Sequence, residues 1–195
     1  MNKISRRNFF TNSIFALLSG VGLASCSSGD SPIENTALET ESNDDIVSID
    51  EQKDEIFYIY QEEKLARDAY ITLGKLYPKE NTFKSIQVSE QRHIDSARGL
   101  CEKYEIDISD VDEDSVGNFV IDVLQELYNT VIDEGRKGLL EALKMGELIE
   151  ITDIDDLQRI IDNFYMPDDV ITVYEKLKEG SYNHLESFQV AIKKA

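Results

Sequence analysis

The chain has 195 residues, of which 41% are hydrophobic, enough for one domain of ordinary size with its own core. Its 39 acidic and 20 basic residues give a formal net charge of -19. This charge argues against a nucleic-acid partner, because phosphates require a basic surface. Two cysteines, Cys26 and Cys101, are too few for a disulfide framework, and we expect Cys101 to be a small buried side chain.

Residues 1–26 are predicted to be an export signal. A basic start is followed by an apolar stretch that is too short and too rich in Gly and Ser to span a membrane. The stretch ends in Leu23-Ala24-Ser25-Cys26, which resembles a lipobox, and Ser5-Arg6-Arg7-Asn8-Phe9-Phe10 resembles a twin-arginine signal. These resemblances imply an exported bacterial lipoprotein that is held at a membrane by a lipid on Cys26.

Residues 27–50 are predicted to be a disordered acidic tether, because they are rich in Ser, Asp, Glu and Asn and poor in apolar residues. Beyond them the apolar spacing is helical. The first helix is predicted over about 51–77, ending before Pro78, and the second over about 82–104, with Thr82 as its N-cap.

An accessory helix is predicted over about 116–132, because its apolar residues share one face. Two more long helices are predicted to start near Lys137 and near Pro167, where proline suits a first turn. The expected fold of residues 51–195 is therefore all-α, with four long helices and one accessory helix.

Polar residues interrupt the apolar seam of each long helix near its middle. In chain order they are Glu63, Glu90 with His93, Glu147 with Glu150, and Ser181 with His184. Burying such charges together costs on the order of several kcal/mol per ion unless something compensates. Two divalent cations would neutralise the four carboxylates, and the imidazoles would complete a nitrogen and oxygen site. The pattern favours a metal site over the alternative, in which these side chains lie on solvent-facing surfaces.

Four motifs surround these positions. They are Glu63-Lys64-Leu65-Ala66-Arg67-Asp68-Ala69-Tyr70, Glu90-Gln91-Arg92-His93, Gly146-Glu147-Leu148-Ile149-Glu150 and Tyr182-Asn183-His184. Together they resemble the motifs of the ferritin-like superfamily, locally those of rubrerythrin, and the whole pattern also resembles an uncharacterised ferritin-like domain family. The resemblance implies a ferritin-like four-helix bundle with an accessory helix and a di-iron centre, with manganese or zinc as alternatives.

The resemblance also implies a role for each matching residue. The implied metal ligands are Glu63, Glu90, His93, Glu147, Glu150 and His184. Tyr70 would be a phenol beside the site with a part in catalysis. Ser181 departs from the pattern, because the superfamily has a bridging glutamate at that place, and this leaves the number of metal ions open.

In the superfamily such centres reduce peroxide or dioxygen, or oxidise ferrous iron, so a small oxidant is the implied substrate. Two alternatives remain open. The domain could bind metal for storage, delivery or sensing without turnover, or it could be a surface interaction module with a degenerate site. A lipid anchor and a long tether suit a monomer or homodimer better than a cage.

Overall fold

The computed structural model describes residues 49–195, which form five α-helices without a strand among them. The helices are α1 (Ile49–Leu76), α2 (Asn81–Lys103), α3 (Asp122–Gly135), α4 (Leu139–Asn163) and α5 (Asp168–Ile192). The predicted export signal, with Cys26, and the predicted tether up to residue 48 lie outside the described residues and stay predictions. Within residues 49–195, no helix is both long and apolar enough to cross a membrane.

The helix boundaries follow local capping, with two corrections to the expected starts. Glu80, not Thr82, is the N-cap of α2, and its Oε1 accepts from the backbone N–H of Thr82 at 2.9 Å and from its hydroxyl at 2.6 Å. The accessory helix α3 begins at Asp122, six residues later than expected. The apolar residues before it do not extend the helix, because the segment 113–120 lies against α1 instead.

Four long helices close a ring around one core. α1 packs against α2 and α4, and α5 packs against the same two helices. Neighbouring helices are antiparallel: along α1 and α2, for example, Tyr70 lies beside Phe83 while Glu63 reaches His93. Since α1 is antiparallel to both α2 and α4, those two run in the same direction. The chain therefore crosses over along the bundle between them, through residues 104–138.

The crossover makes α1 the central helix, because every residue from Glu55 to Tyr70 is buried. Besides its faces against α2 and α4, α1 has a third face that lies against the crossover. Buried polar groups need hydrogen-bond partners, and polar side chains on this third face pair with backbone groups of the crossover. Lys64 Nζ donates to the carbonyls of Ser115 and Asn118 at 2.9 and 3.1 Å. The crossover is thus fixed to α1 by hydrogen bonds as well as by apolar contact.

Asp68 is the anchor of this polar contact and is fully buried. It accepts from Lys64 Nζ at 2.6 Å, from Arg67 Nη2 at 2.7 Å and from the backbone N–H of Gly117 at 2.9 Å. Gly117 has a φ of +85°, and a Cβ there would meet the Tyr128 ring at 2.7 Å. One carboxylate thus pairs with two buried cations and holds the turn of the crossover.

We predict that Asp68→Ala lowers the free energy of unfolding by about 3–5 kcal/mol, because removing one partner of a buried ion pair leaves the other charge uncompensated. Urea unfolding followed by circular dichroism measures the change. The control is Asp133→Ala, since the Asp133–Arg136 pair is 74% and 61% exposed and should contribute less than about 1 kcal/mol. Equal effects of the two substitutions would show that Asp68 does not anchor the crossover.

Candidate metal centre

A polar layer crosses the core beside a layer of aromatic rings formed by Tyr70, Phe83 and Phe188. The four long helices each contribute at least one side chain to it: Glu63 from α1, Glu90 and His93 from α2, Glu150 and Asp153 from α4, and Ser181 and His184 from α5. Each of these residues is at most 9% exposed. Carboxylates and imidazoles so deeply buried need charge compensation inside the protein.

Glu90 lies between the two histidines. Its Oε2 is 3.1 Å from His93 Nδ1, and its Oε1 is 2.7 Å from His184 Nδ1. On the outer sides, Glu63 Oε2 lies 3.2 Å from His93 Nδ1 and Glu150 Oε2 lies 3.5 Å from His184 Nδ1. The imidazole rings stack with centroids 5.2 Å apart. Three carboxylates and two imidazoles therefore alternate across the core, with both Nδ1 atoms facing oxygen.

Several donor atoms of this layer have no hydrogen-bond partner. The approach of Glu90 Oε1 to His184 Nδ1 is not oriented as a hydrogen bond, and Glu63 Oε1 and Asp153 Oδ1 also lack a partner. Unsatisfied buried polar atoms are rare in native proteins. One ligand atom each from Glu90, His93 and His184 lie within 4.8 Å of one another. The donor set and its spacing fit a metal cation.

The charges of Glu90 and the two histidines shift one another's pKa values. Burial opposes charge on His93, but the negative charges of Glu63 and Glu90 outweigh it and raise its pKa to about 11. Burial also opposes charge on His184, and Glu150 and Glu90 raise its pKa to about 10. Burial opposes charge on Glu90 as well, but the close approach and the charges of both imidazoles lower its pKa to about 2. Without a metal, the centre is thus an imidazolium–carboxylate pair on each side of Glu90.

The other carboxyls of the layer have raised pKa values, in contrast to Glu90. Burial raises the pKa of Glu63 to about 7, against the charge of His93. Burial, followed by the charge of Glu90, raises the pKa of Glu150 to about 8. Asp153 has a pKa well above its ordinary range because of burial and the charge of Glu63. The layer carries more carboxylates than two imidazoles can neutralise, so the excess must be taken up by protons or by cations.

Tyr70 lies directly beside the centre and is fully buried. Its hydroxyl donates to Glu150 Oε1 at 2.5 Å. Burial and the negative charge of Glu150 raise the pKa of the phenol well above its ordinary value, so it remains a neutral donor. The bond fixes one oxygen of Glu150 and leaves the other facing His184.

The structure brings together five of the six side chains that the resemblance implies as metal ligands, and it leaves Glu147 out. Glu147 is half-buried and makes no hydrogen bond or ion pair within residues 49–195. The buried face of α4 includes Glu150 as predicted, but it also includes Gly146 and Asp153, each one residue before a seam position. Sequence reasoning missed Asp153, although its spacing of three from Glu150 is a usable signal.

A second buried acidic pair adjoins the centre. Glu62 on α1 is 2% exposed, and its Oε2 has no hydrogen-bond partner. Asp156 on α4 accepts from Tyr58 at 3.2 Å and from Arg159 Nε at 3.1 Å. Burial and the charge of Asp156 raise the pKa of Glu62 well above its ordinary range. Neither residue was expected from the sequence, because neighbouring seam positions were assumed to be apolar.

The centre is almost closed to solvent. Its most exposed member is His93, at 9%, and the edge of the His93 ring lies against Gly180, where a Cβ would collide with Nε2. Two surface depressions, of about 310 and 330 Å³, are lined by other residues. Without movement of the helices, the site admits only a small molecule or an ion.

Residues 52–195 match a family described as "Uncharacterized protein domain (DUF2202)". The chain belongs to the DUF2202 family. It is similar to "Uncharacterized protein MJ0754" of Methanocaldococcus jannaschii, with 42% identity over 139 residues, which is 71% of this chain and 74% of the relative. A solved structure, "Crystal structure of hypothetical protein MJ0754 from Methanococcus jannaschii DSM 2661", has a TM-score of 0.69 at 34% identity, over 87% of this chain and 86% of that one.

We predict that both imidazoles of the metal-free protein stay protonated from pH 6 to pH 9. The folded pKa values of about 11 and about 10 lie above this window, because carboxylates flank both rings. The chain has only two histidines, so nitrogen NMR of the imidazoles reports on this centre alone. A titration midpoint near 6.5 for either ring would contradict the prediction, and the urea-unfolded chain is the control that should show that midpoint.

Proposed function

We propose that the DUF2202 domain is a ferritin-like four-helix bundle that binds two divalent cations. Iron is the first expected metal, with manganese or zinc as alternatives. The fold supports this through its ring of four antiparallel neighbours and its single long crossover between α2 and α4, which is the connectivity of ferritin-like bundles. The inward-facing Glu90 and His93, three residues apart on α2, form the Glu-x-x-His pair that such bundles use.

The observation that carries the proposal is the position of Glu90 between His93 and His184, in which Glu90 Oε1 and His184 Nδ1 lack hydrogen-bond partners. A polar core built only for stability would pair these atoms with each other or with amides. Mixed carboxylate and imidazole donors suit iron, manganese and zinc. The residues present therefore fit the proposed metals.

Each residue then has a defined task. Glu63 and His93 would hold one cation, Glu150 and His184 would hold the other, and Glu90 would contact both. Tyr70 fixes the orientation of Glu150 through its hydrogen bond, in the way that outer hydrogen bonds orient metal ligands. The stacked imidazole rings keep the two halves of the site close together.

A pair of ferrous ions held here would supply the two electrons that convert one hydrogen peroxide and two protons into two water molecules, and an external donor would restore them. The protein would select the oxidant by size, because the buried centre admits only small molecules. Storage or delivery of metal without turnover is the second candidate, and the near closure of the centre favours it.

Metal content tests the proposal. We expect the full chain, reconstituted with ferrous iron or Mn²⁺, to hold about two ions per chain by mass spectrometry, and Glu90→Ala to hold fewer than one, because the shared ligand is lost. Glu147→Ala is the matched control, since it removes a carboxylate from outside the centre, and it should keep both ions. Circular dichroism confirms that each variant is folded.

Peroxide consumption by the iron-loaded protein separates the two candidates. Turnover that is lost in Glu90→Ala supports the oxidoreductase, and stoichiometric metal without turnover supports storage or delivery. If the folded wild-type chain holds no metal after reconstitution, the metal proposal is wrong. The interaction module expected as an alternative would then be the leading explanation.

A further inference from the structure

Position 181 is where the resemblance to ferritin-like bundles predicts a bridging glutamate and where this chain has serine. Ser181 is 1% exposed and lies one helical turn before His184 on α5. Its hydroxyl donates to Asp153 Oδ2 at 2.5 Å, across the interface between α4 and α5. The place of the missing carboxylate is therefore in direct contact with a carboxylate from another helix.

Asp153 has the properties of a ligand in this centre. It is 4% exposed and follows Glu150 by three residues, so both carboxylates leave the same face of α4. Ser181 occupies its Oδ2, while its Oδ1 has no hydrogen-bond partner and no contact with solvent. Glu63, Glu90 and Glu150 lie close enough to Asp153 for their charges to act on it. No lysine or arginine forms an ion pair with Asp153 within residues 49–195.

We propose that Asp153 is a metal ligand that replaces the carboxylate missing at position 181, and that Ser181 is the positioning residue that orients it. This inference rests on the proposed function. Glu63, Glu90 and Glu150 supply three negative charges, whereas two divalent cations carry four positive ones. Asp153 closes that difference without any residue from outside the layer. The ligand has moved from α5 to α4, but it enters the same part of the core.

The other carboxylates considered on α4 do not fit this role. Glu147 is only half-buried, and its side chain makes no hydrogen bond or ion pair within residues 49–195. Asp156 is already held by Tyr58 and Arg159 through its two oxygens. Asp153 alone on α4, apart from Glu150, combines burial, a free oxygen and contact with α5.

The experiment compares wild type, Asp153→Asn and Glu147→Gln as full chains that are stripped with a chelator and reloaded with Mn²⁺ or Zn²⁺. Metal per chain is counted by mass spectrometry, and affinity is measured by competition with a chelating dye. We expect two ions in wild type and in Glu147→Gln, and one in Asp153→Asn, because an amide replaces the carboxylate at nearly the same shape. Neither readout depends on catalytic activity.

The outcomes separate the two levels of the proposal. If wild type and Asp153→Asn both hold two ions with equal affinity, Asp153 is not a ligand, while the proposed function stands. If wild type holds none, the proposed function itself fails. If one ion is bound by both proteins, the replacement of the lost carboxylate is also refuted.

Two further variants keep the test decisive if Asp153→Asn folds poorly. Ser181→Ala retains the carboxylate but loses its hydrogen bond, and it should bind one of the two ions about 10–100-fold more weakly, as is typical when an orienting group is removed. Asp153→Asn/Ser181→Glu returns the carboxylate to α5 and should restore the second ion. Unchanged affinity in Ser181→Ala would overturn the positioning role, and failure of the folded double variant to regain the ion would overturn the replacement.

Discussion

The structure depends on the compensation of buried negative charge in the middle of the bundle. Glu63, Glu90, Glu150 and Asp153 lie in one layer, with two imidazoles as the cationic partners there. Removing carboxylates from water costs several kcal/mol each by order of magnitude, unless protons or cations accompany them. Protons can do this in the metal-free chain, since burial raises the pKa of three of the four carboxyls. Bound cations would compensate the same negative charge and would also coordinate the carboxylate oxygens and imidazole nitrogens.

The surrounding fold keeps this layer in place. The crossover covers the third face of α1 and is bound to it by the hydrogen bond from the Gly117 N–H to Asp68. The helix that carries Glu63 is therefore buried along most of its length. On the other side, the Phe188 ring packs where Gly146 has no side chain, and the Tyr70 phenol reaches Glu150 beside it. Rigid neighbours of this kind restrict the rotamers of the acidic side chains and hold their oxygens facing inward.

Much of the architecture could be predicted from the sequence, because apolar residues spaced three and four apart indicate long amphipathic helices. The four long helices and the polar residues at the middle of α1, α2 and α5 were placed correctly. The start of α3 was not, because the apolar residues before it satisfy tertiary contacts with α1 that no local pattern records. The predicted Thr82 cap was also wrong, because Glu80, two residues earlier, accepts from the backbone N–H and the hydroxyl of Thr82 and caps the helix in its place.

The α4 seam shows where the pattern fails. An ideal helix drifts by roughly 20° per heptad from a strict seven-residue repeat. Along α4, buried apolar residues lie both on the predicted seam and on the seam one residue earlier. One seam contains Glu147 and the other contains Gly146 and Asp153. Glycine has no hydrophobic signal, and aspartate counts as polar, so only the packing of the Phe188 ring against Gly146 decides between them. That contact is long-range and is invisible in the local sequence.

Anomalous diffraction from crystals of the manganese- or iron-loaded protein would test the central claim most directly, because it locates the ions. We expect two peaks within the polar layer, one in contact with His93, the other with His184, and both with Glu90. Peaks confined to surface acids, with an empty layer and hydrogen-bonded side chains, would contradict a metal centre in the core.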